Sequence, residues 1–214
     1  MKRALILWGG WDGHQPLETS EIAAGLLRGA GYGVELADSL APLSDPATLA
    51  GLDLIVPAWT GGTLDKAQCD NLVAAVEGGC GLAGWHGGMG DTFKTNANYL
   101  FMMGGMFLRH PGNQAVHTVH IVDHDDPITA GIKDFGLKSE RYYMLVDPGV
   151  QVLASVTFAA AELPHGVDTV MPACWKRDYG KGRVFYLSPG HVAADFDTPE
   201  LRELLKRGLL WAGR

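Results

Sequence analysis

Apolar positions along the chain fall into short continuous runs, separated by stretches in which apolar residues recur every three or four positions. Ala4–Trp8 is fully apolar and reads as a buried strand. Pro16 stands where a helix would begin, and Ile22, Ala23, Leu26, Leu27 and Ala30 follow at helical spacing, with Gly31 as the C-cap. Tyr32–Ala37 reads as a second strand. Leu52–Trp59 holds a third, Asp53 to Val56, which Pro57 is expected to cut. Thr63 is the expected N-cap of a helix that runs to about Glu77 and stops at Gly78-Gly79. Cys80–Trp85 reads as a fourth strand, and Asp91–Met103 as helical. Short buried strands alternating with helices predict an open, mostly parallel sheet with helices on both faces.

The second half is richer in strands. Val116–Val122 alternates, with His117, Val119 and Ile121 on one face. Val150–Val156, Thr169–Trp175 and Arg183–Ser188 also read as strands, and Gly180-Lys181-Gly182 predicts that the last two form a hairpin. Thr198 as N-cap, Pro199 at the first helical position, Glu200, then Leu201, Leu204, Leu205 and Leu209 mark a final helix. No repeat, linker or low-complexity segment interrupts residues 1–214, so one domain is expected.

Composition narrows the function classes. The chain is 47% hydrophobic and 19% charged, ordinary for a globular protein with a proper core. A net charge of -7 argues against nucleic acid or an anionic membrane as partner. No apolar run approaches a membrane span, and Met1–Trp8 reads as a first strand rather than a signal peptide. Three cysteines without metal-type spacing read as reduced thiols in a cytoplasmic protein.

Chemistry gathers after the strands, where ligands sit in open α/β sheets. Gly84-Trp85-His86-Gly87-Gly88 is the sharpest feature: a strand, a glycine-rich turn and a helix make an elbow that pushes one side chain out. On the pattern Gly-x-nucleophile-x-Gly that side chain is His86, so the nucleophile's place is kept and the nucleophile is not. Three other strand ends carry Gly9-Gly10-Trp11-Asp12-Gly13-His14, Trp59-Thr60-Gly61-Gly62 and Ser188-Pro189-Gly190-His191. Together they would place Trp11, Trp59 and Trp85 in a cleft with Asp12 and three histidines, and indole faces beside polar groups suit a sugar ring. His14 reads equally as a loop residue or a functional one, and so does His110. His117 and His120, inside a strand, read as structural; His124 and His165 read as solvent-facing. Glu140-Arg141-Tyr142-Tyr143 is either an ion pair with core aromatics or a carboxylate and a phenol entering the cleft. Histidines with a carboxylate suit a divalent metal such as zinc, with His14, His86, His110 and His191 as candidate ligands. The same groups suit metal-free acid–base work, since imidazole titrates near neutral pH. The sequence leaves both open.

Taken together, several motifs resemble the ThuA-like (trehalose utilisation) family of the class I glutamine amidotransferase-like fold. They are Gly84–Gly88; Gly104-Gly105-Met106-Phe107 with His110-Pro111; Asp126–Ile132; Ser139–Tyr143; Met171–Trp175; Tyr179–Tyr186; and Gly190-His191. The resemblance covers nearly the whole chain. It implies a flavodoxin-like three-layer α/β/α sandwich with a mostly parallel central sheet and an added antiparallel region. It also implies that His86 replaces the catalytic cysteine of true amidotransferases and that His191 matches their partner histidine. Thioester-based glutamine hydrolysis is excluded on this reading, because no thiol falls at the elbow. The family is linked to breakdown of trehalose and related disaccharides, often beside an oxidoreductase that makes 3-keto sugars. The resulting expectation is an enzyme acting on a (3-keto) disaccharide or related sugar. His86, His191 and Glu140 would be catalytic, and Trp11, Asp12, Trp59, Trp85 and Tyr142 would bind substrate. The resemblance admits a homo-oligomer and a working partnership with a sugar oxidoreductase. The alternative is a non-catalytic sugar-binding or regulatory module on the same fold; a Cys or Ser hydrolase ranks below both.

Overall fold

A computed structural model describes residues 1–213. A nine-stranded sheet has the order β2-β1-β3-β4-β11-β10-β9-β6-β7. Its first five strands are parallel: β1 (Arg3–Gly10), β2 (Gly33–Ala37), β3 (Leu54–Thr60), β4 (Gly81–Trp85) and β11 (Gly182–Leu187). The others, β10 (Thr169–Tyr179), β9 (Gln151–Phe158), β6 (Gln114–Ile121) and β7 (Phe135–Glu140), continue as an antiparallel meander. Helices α1 (Pro16–Gly29) and α6 (Pro199–Ala212) cover one face. The short α2 (Pro46–Leu49), α3 (Lys66–Gly78), α4 (His86–Gly90) and α5 (Ala97–Met103) cover the other. The result is a flavodoxin-like α/β/α sandwich, mostly parallel at its centre with antiparallel strands added. β5 (Gly105–Arg109) and β8 (Tyr143–Val146) form a separate two-stranded ribbon. No helix among the described residues is long and apolar enough to cross a membrane.

The apolar runs became strands for the expected reason: Ala4 to Leu7, Leu54 to Val56 and Leu82 to Ala83 are fully enclosed between helix layers. The Gly180-Lys181 turn does close the β10–β11 hairpin, with Tyr179 opposite Gly182. Local details depart from expectation. Pro57 does not cut β3. The β3–β4 ladder ends at Ile55, while β3 stays paired to β1 through Thr60, so the missing N–H falls where the β4 ladder has already stopped. The N-cap of α3 is Asp65 rather than Thr63, in a reciprocal capping box with Gln68. The segment Asp91–Met103 is helical only from Ala97. Its first residues are drawn to the β3 loop instead: Gly61 N–H donates to the Asp91 carbonyl, and Phe93 N–H to that of Gly61. The helix before Gly31 ends at Gly29; Gly31 follows the C-cap Ala30 in the left-handed conformation. Strands β5, β7 and β8 were not expected at all.

Two features of packing position the site. β6 meets β9 only through His120 and Ile121, so the β6–β7 ribbon leaves the main sheet and its far end, Gln114 opposite Glu140, is free to fold over the sheet edge. Helix α6 lies close because Gly208 has no side chain: a Cβ there would stand 2.1 Å from the Phe185 ring. Alanine gains up to about 1 kcal/mol of helix propensity at such a position, but overpacking against a fully buried ring costs roughly 1–3 kcal/mol. Gly208→Ala is therefore expected to lower Tm, by about 2–8 °C, in a thermal melt. An unchanged or raised Tm would show that α6 is not held at this distance.

Candidate functional site

The sheet order reverses between β1 and β3; the loop leaving β1 carries His14, and β3 ends on Thr60. These two side chains are joined by a 2.7 Å hydrogen bond, His14 Nδ1 to Thr60 Oγ1. His14 closes a 3₁₀ turn, Asp12–His14, and Trp11 folds back over Gly13, where a Cβ would stand 2.4 Å from the indole.

β4 delivers His86 as the elbow requires. Trp85 is extended, and His86 turns into the left-handed region at φ 44°, a conformation costing a non-glycine residue about 1 kcal/mol. The turn is crowded. A Cβ on Gly87 would come within 2.3 Å of His14 Cε1 and 3.0 Å of the Tyr142 hydroxyl, and one on Gly88 within 2.8 Å of Ala58 Cα. Tyr186 at the base of the turn donates to the His86 carbonyl at 3.1 Å.

The loop after β11 orients His86. The Ser188 carbonyl accepts a hydrogen bond from His86 Nδ1 at 2.8 Å. A carbonyl can only accept, so Nδ1 carries the proton and Nε2 of the neutral ring presents a lone pair. That lone pair faces His191 Nδ1 at 3.2 Å and Glu140 Oε2 at 3.3 Å, and the His191–Glu140 separation is 3.4 Å. His86, His191 and Glu140 are buried, and His14 is half-buried beside them. One donor atom from each of the four lies within 4.8 Å of every other. His191 is itself held by Asp195, whose Oδ2 accepts both the His191 backbone N–H at 2.8 Å and the Ser139 hydroxyl.

The environment sets the charges. Burial, reinforced by the charges of His86 and His191, lowers the His14 pKa to about 3. Burial also lowers that of His86, against the pull of Glu140. Burial alone would raise the Glu140 carboxyl, but its two imidazole neighbours, His191 and His86, outweigh it and hold it well below the usual range. Burial keeps the Tyr142 phenol protonated far above its ordinary value. At neutral pH His14 and His86 are thus uncharged, beside a carboxylate and a phenol. Burial pushes the Cys80 thiol up to about 12 and raises those of Cys69 and Cys174; none stands at the elbow.

The other expected residues divide. Tyr142 is buried and stacks on His86 at 4.0 Å. Trp11 is largely exposed and lies edge-on to His14 at 4.7 Å, so it covers the cluster. Asp12 sits exposed on the same turn. Trp59 is half-buried against Gly9 and Gly62. Trp85 does not enter the cleft: the extended backbone turns it inward, 3% exposed, onto Phe196 at 6.0 Å. His110 lies outside the four-residue cluster, stacked on Phe107 at 5.8 Å. Sequence reasoning passed over Thr60, Asp195 and Ser139, and gave Ser188 no part in orienting His86. Thr60 and Ser188 stood in loops already singled out; Asp195, four residues after His191, was the remaining legible signal.

The sequence profile of the ThuA family, described as trehalose utilisation, matches residues 3–212. The chain belongs to the ThuA family. Its fold is shared with a ThuA-like protein from Bacteroides uniformis (20% identity, TM-score 0.78, covering 99% of this chain and 91% of that one). A ThuA-like protein from Parabacteroides merdae is similar as well (17% identity, TM-score 0.80, covering 99% and 90%). So is a protein of Salmonella typhimurium described as cytoplasmic (12% identity, TM-score 0.68, covering 100% of both chains). A comparison with curated proteins found no match. Family membership supports a carbohydrate-related role.

Near the site, His117 is buried, its Nδ1 bonded to the Ala115 carbonyl at 2.9 Å and its Nε2 buried without a partner among the described residues. Burial lowers its pKa below 6.5, against the Ala115 bond and with help from Arg141. The unfolded chain therefore takes up this proton at a higher pH than the folded one. Stability rises with pH across that window and is lost as pH falls below about 6.5. His117→Gln should lessen the fall in Tm between pH 7 and pH 5; an unchanged fall would mean that His117 charges freely in the fold.

Proposed function

We propose that this ThuA-family protein is a cytoplasmic enzyme of carbohydrate metabolism, acting on a 3-keto disaccharide or related glycoside. The observation that carries the reading is the triangle of His86 Nε2, His191 Nδ1 and Glu140 Oε2, with sides of 3.2, 3.3 and 3.4 Å. Two of these atoms are acceptors in the neutral cluster, and a third proton-binding atom lies within reach of both. A hydrogen on His191 Nδ1, an added proton or a cation would each bridge these acceptors.

A ketone acidifies the C–H bond beside it. In the proton form of the mechanism the triangle takes that proton, which then bridges acceptors that otherwise repel. The C–H electron pair moves toward the carbonyl, whose oxygen takes up the charge. The protonated phenol of Tyr142 and the neutral ring of His14, held by Thr60, flank this space as donor and acceptor. Two outcomes balance. The electron pair expels the glycosidic oxygen, which leaves with the proton as an alcohol, or the proton returns to the neighbouring carbon as an isomer. Trp11 offers an indole face to the sugar at the entrance.

The donor set also fits a divalent metal such as zinc. Ligand bonds of about 2.0–2.1 Å in a tetrahedral site put donor atoms about 3.3 Å apart, close to the triangle's sides. His86, His191 and Glu140 would hold the ion, with His14 as the fourth candidate. When bound, it would polarise the carbonyl oxygen and stabilise the charge that develops there. The Ser188 carbonyl on the His86 ring is the outer contact that such a ligand needs, and the Asp195 carboxylate holds the backbone that carries His191. Buried, reduced cysteines and the relative described as cytoplasmic support the location. The substrate's chemistry requires a sugar oxidoreductase to supply it.

The test is incubation with a panel of 3-keto disaccharides, with product followed by mass spectrometry and metal content measured in parallel. Turnover by the wild type should fall at least about 100-fold in His86→Ala and in His191→Ala, and any stoichiometric metal should be lost in His86→Ala. Turnover indifferent to both substitutions would overturn this site. Tight sugar binding without turnover would overturn the enzyme in favour of a binding module.

A further inference from the structure

The β5–β8 ribbon stands apart from the main sheet, and neither of its edges pairs with a further strand among the described residues. A two-stranded ribbon is marginal in water unless it packs against something. Its inner face does so. Phe107 and Met144 are a cross-strand pair there; Met144 is buried, and the Phe107 ring lies 4.2 Å from that of Tyr142. Alternation sends Met106 and Leu145, the next pair, to the outer face. Leu145 is 55% exposed, and Phe101 of α5 beside it is 60% exposed. With Leu100, Met106 and Val146 they surround a shallow apolar depression of about 300 Å³.

Exposed apolar side chains gathered in one patch mark an interaction surface, and the charges at its two ends identify the partner. At one end is Asp147, which follows β8, lies 3.5 Å from Arg177 and donates its backbone N–H to the Gly104 carbonyl just before β5. At the other end is Arg109, the last residue of β5, exposed and without an ion pair or hydrogen bond among the described residues. Arg109 is paired with Tyr143, which shares a face of β8 with Leu145. The strip is therefore apolar in the middle, with a carboxylate at one end and a free guanidinium at the other, about 13 Å apart along the strand. Turned end for end about a two-fold axis through its middle, such a strip fits itself: apolar side chains meet at the centre, and each Arg109 meets Asp147 of the partner subunit. A net charge of -7 makes two copies of this chain repel over most of their surface. This strip carries no excess of either sign, so it escapes that repulsion and does not select a partner of opposite charge.

We propose that the outer face of the β5–β8 ribbon, together with Phe101, is the contact surface of a two-fold homodimer. Leu145 and Phe101 form its dry centre, and Arg109 with Asp147 of the partner subunit forms its charged rim. The inner face of the same ribbon leans on Tyr142, which stacks on His86, so the contact also braces one wall of the histidine cluster.

Sedimentation equilibrium of the full chain over a concentration series tests it. The wild type should sediment at twice the 22.9 kDa mass of the chain and dissociate on dilution. Leu145→Glu sets two carboxylates face to face at the centre and should leave a monomer with an unchanged Tm, since the side chain it replaces is exposed. Arg109→Glu and Asp147→Lys should each weaken association at least about 10-fold. An equimolar mixture of these two variants should recover it, because both rim contacts then join opposite charges again. Asp147 also accepts the Gly149 N–H, so should Asp147→Lys fold poorly, Arg109→Glu alone decides. A monomer at every concentration leaves the strip to some other partner and would overturn the proposal. So would a dimer indifferent to Leu145→Glu or to Arg109→Glu, or a mixture of two folded rim variants that associates no better than either one.

Discussion

The Ser188 carbonyl is the contact on which the site depends. By accepting from His86 Nδ1 it directs the lone pair of Nε2 toward a carboxylate and a second imidazole. Three polar atoms, two of them acceptors, are thereby brought within 3.4 Å of one another in a buried space. Without that carbonyl the imidazole could present its N–H to Glu140, and the cluster would be an ordinary hydrogen-bonded set. One backbone acceptor, placed by the parallel pairing of β11 to β4, therefore decides the electronic character of the site.

Holding the triangle requires strain and close packing around it. His86 sits in a left-handed conformation, and glycines on either side let Ala58, Met89, His14 and Tyr142 crowd the turn. Asp195 takes two hydrogen bonds to fix the loop that carries His191. The strand-turn-helix elbow is thus present as geometry, with a buried imidazole at its tip. A thiolate nucleophile needs a positive, accessible setting, whereas this cluster is buried and holds a carboxylate.

Glu140 shows how far the sheet had to bend. It ends β7, four strands beyond β11, which in a flat sheet would set it about 19 Å from the β11 edge. The alternation of direction through β10, β9 and β6 leaves β7 running parallel to β11, so its carboxyl end faces the same edge. The sparse pairing of β6 to β9 then lets the ribbon curl until Ser139 meets Asp195 and Glu140 meets both histidines. The ribbon's weak attachment is what carries the carboxylate into the site.

The sequence by itself determined the parallel half and the strand-end residues. Short continuous apolar runs bounded by glycine suit buried strands between helix layers, and once these pair in parallel the turns after them bring His14, His86 and His191 to one edge. Tertiary structure decided the rest. β5 and β8 carry mixed patterns that no period marks, and β7 alternates in burial but with only Phe135 and Leu137 as large apolar residues, too short a signal to read alone. Trp85 and Trp59 follow the same loops as the histidines, yet their rings are turned by packing that no local motif encodes. Whether Glu140 joined an ion pair or the site depended on the curl of a ribbon attached by two residues, and that is a property of the whole sheet.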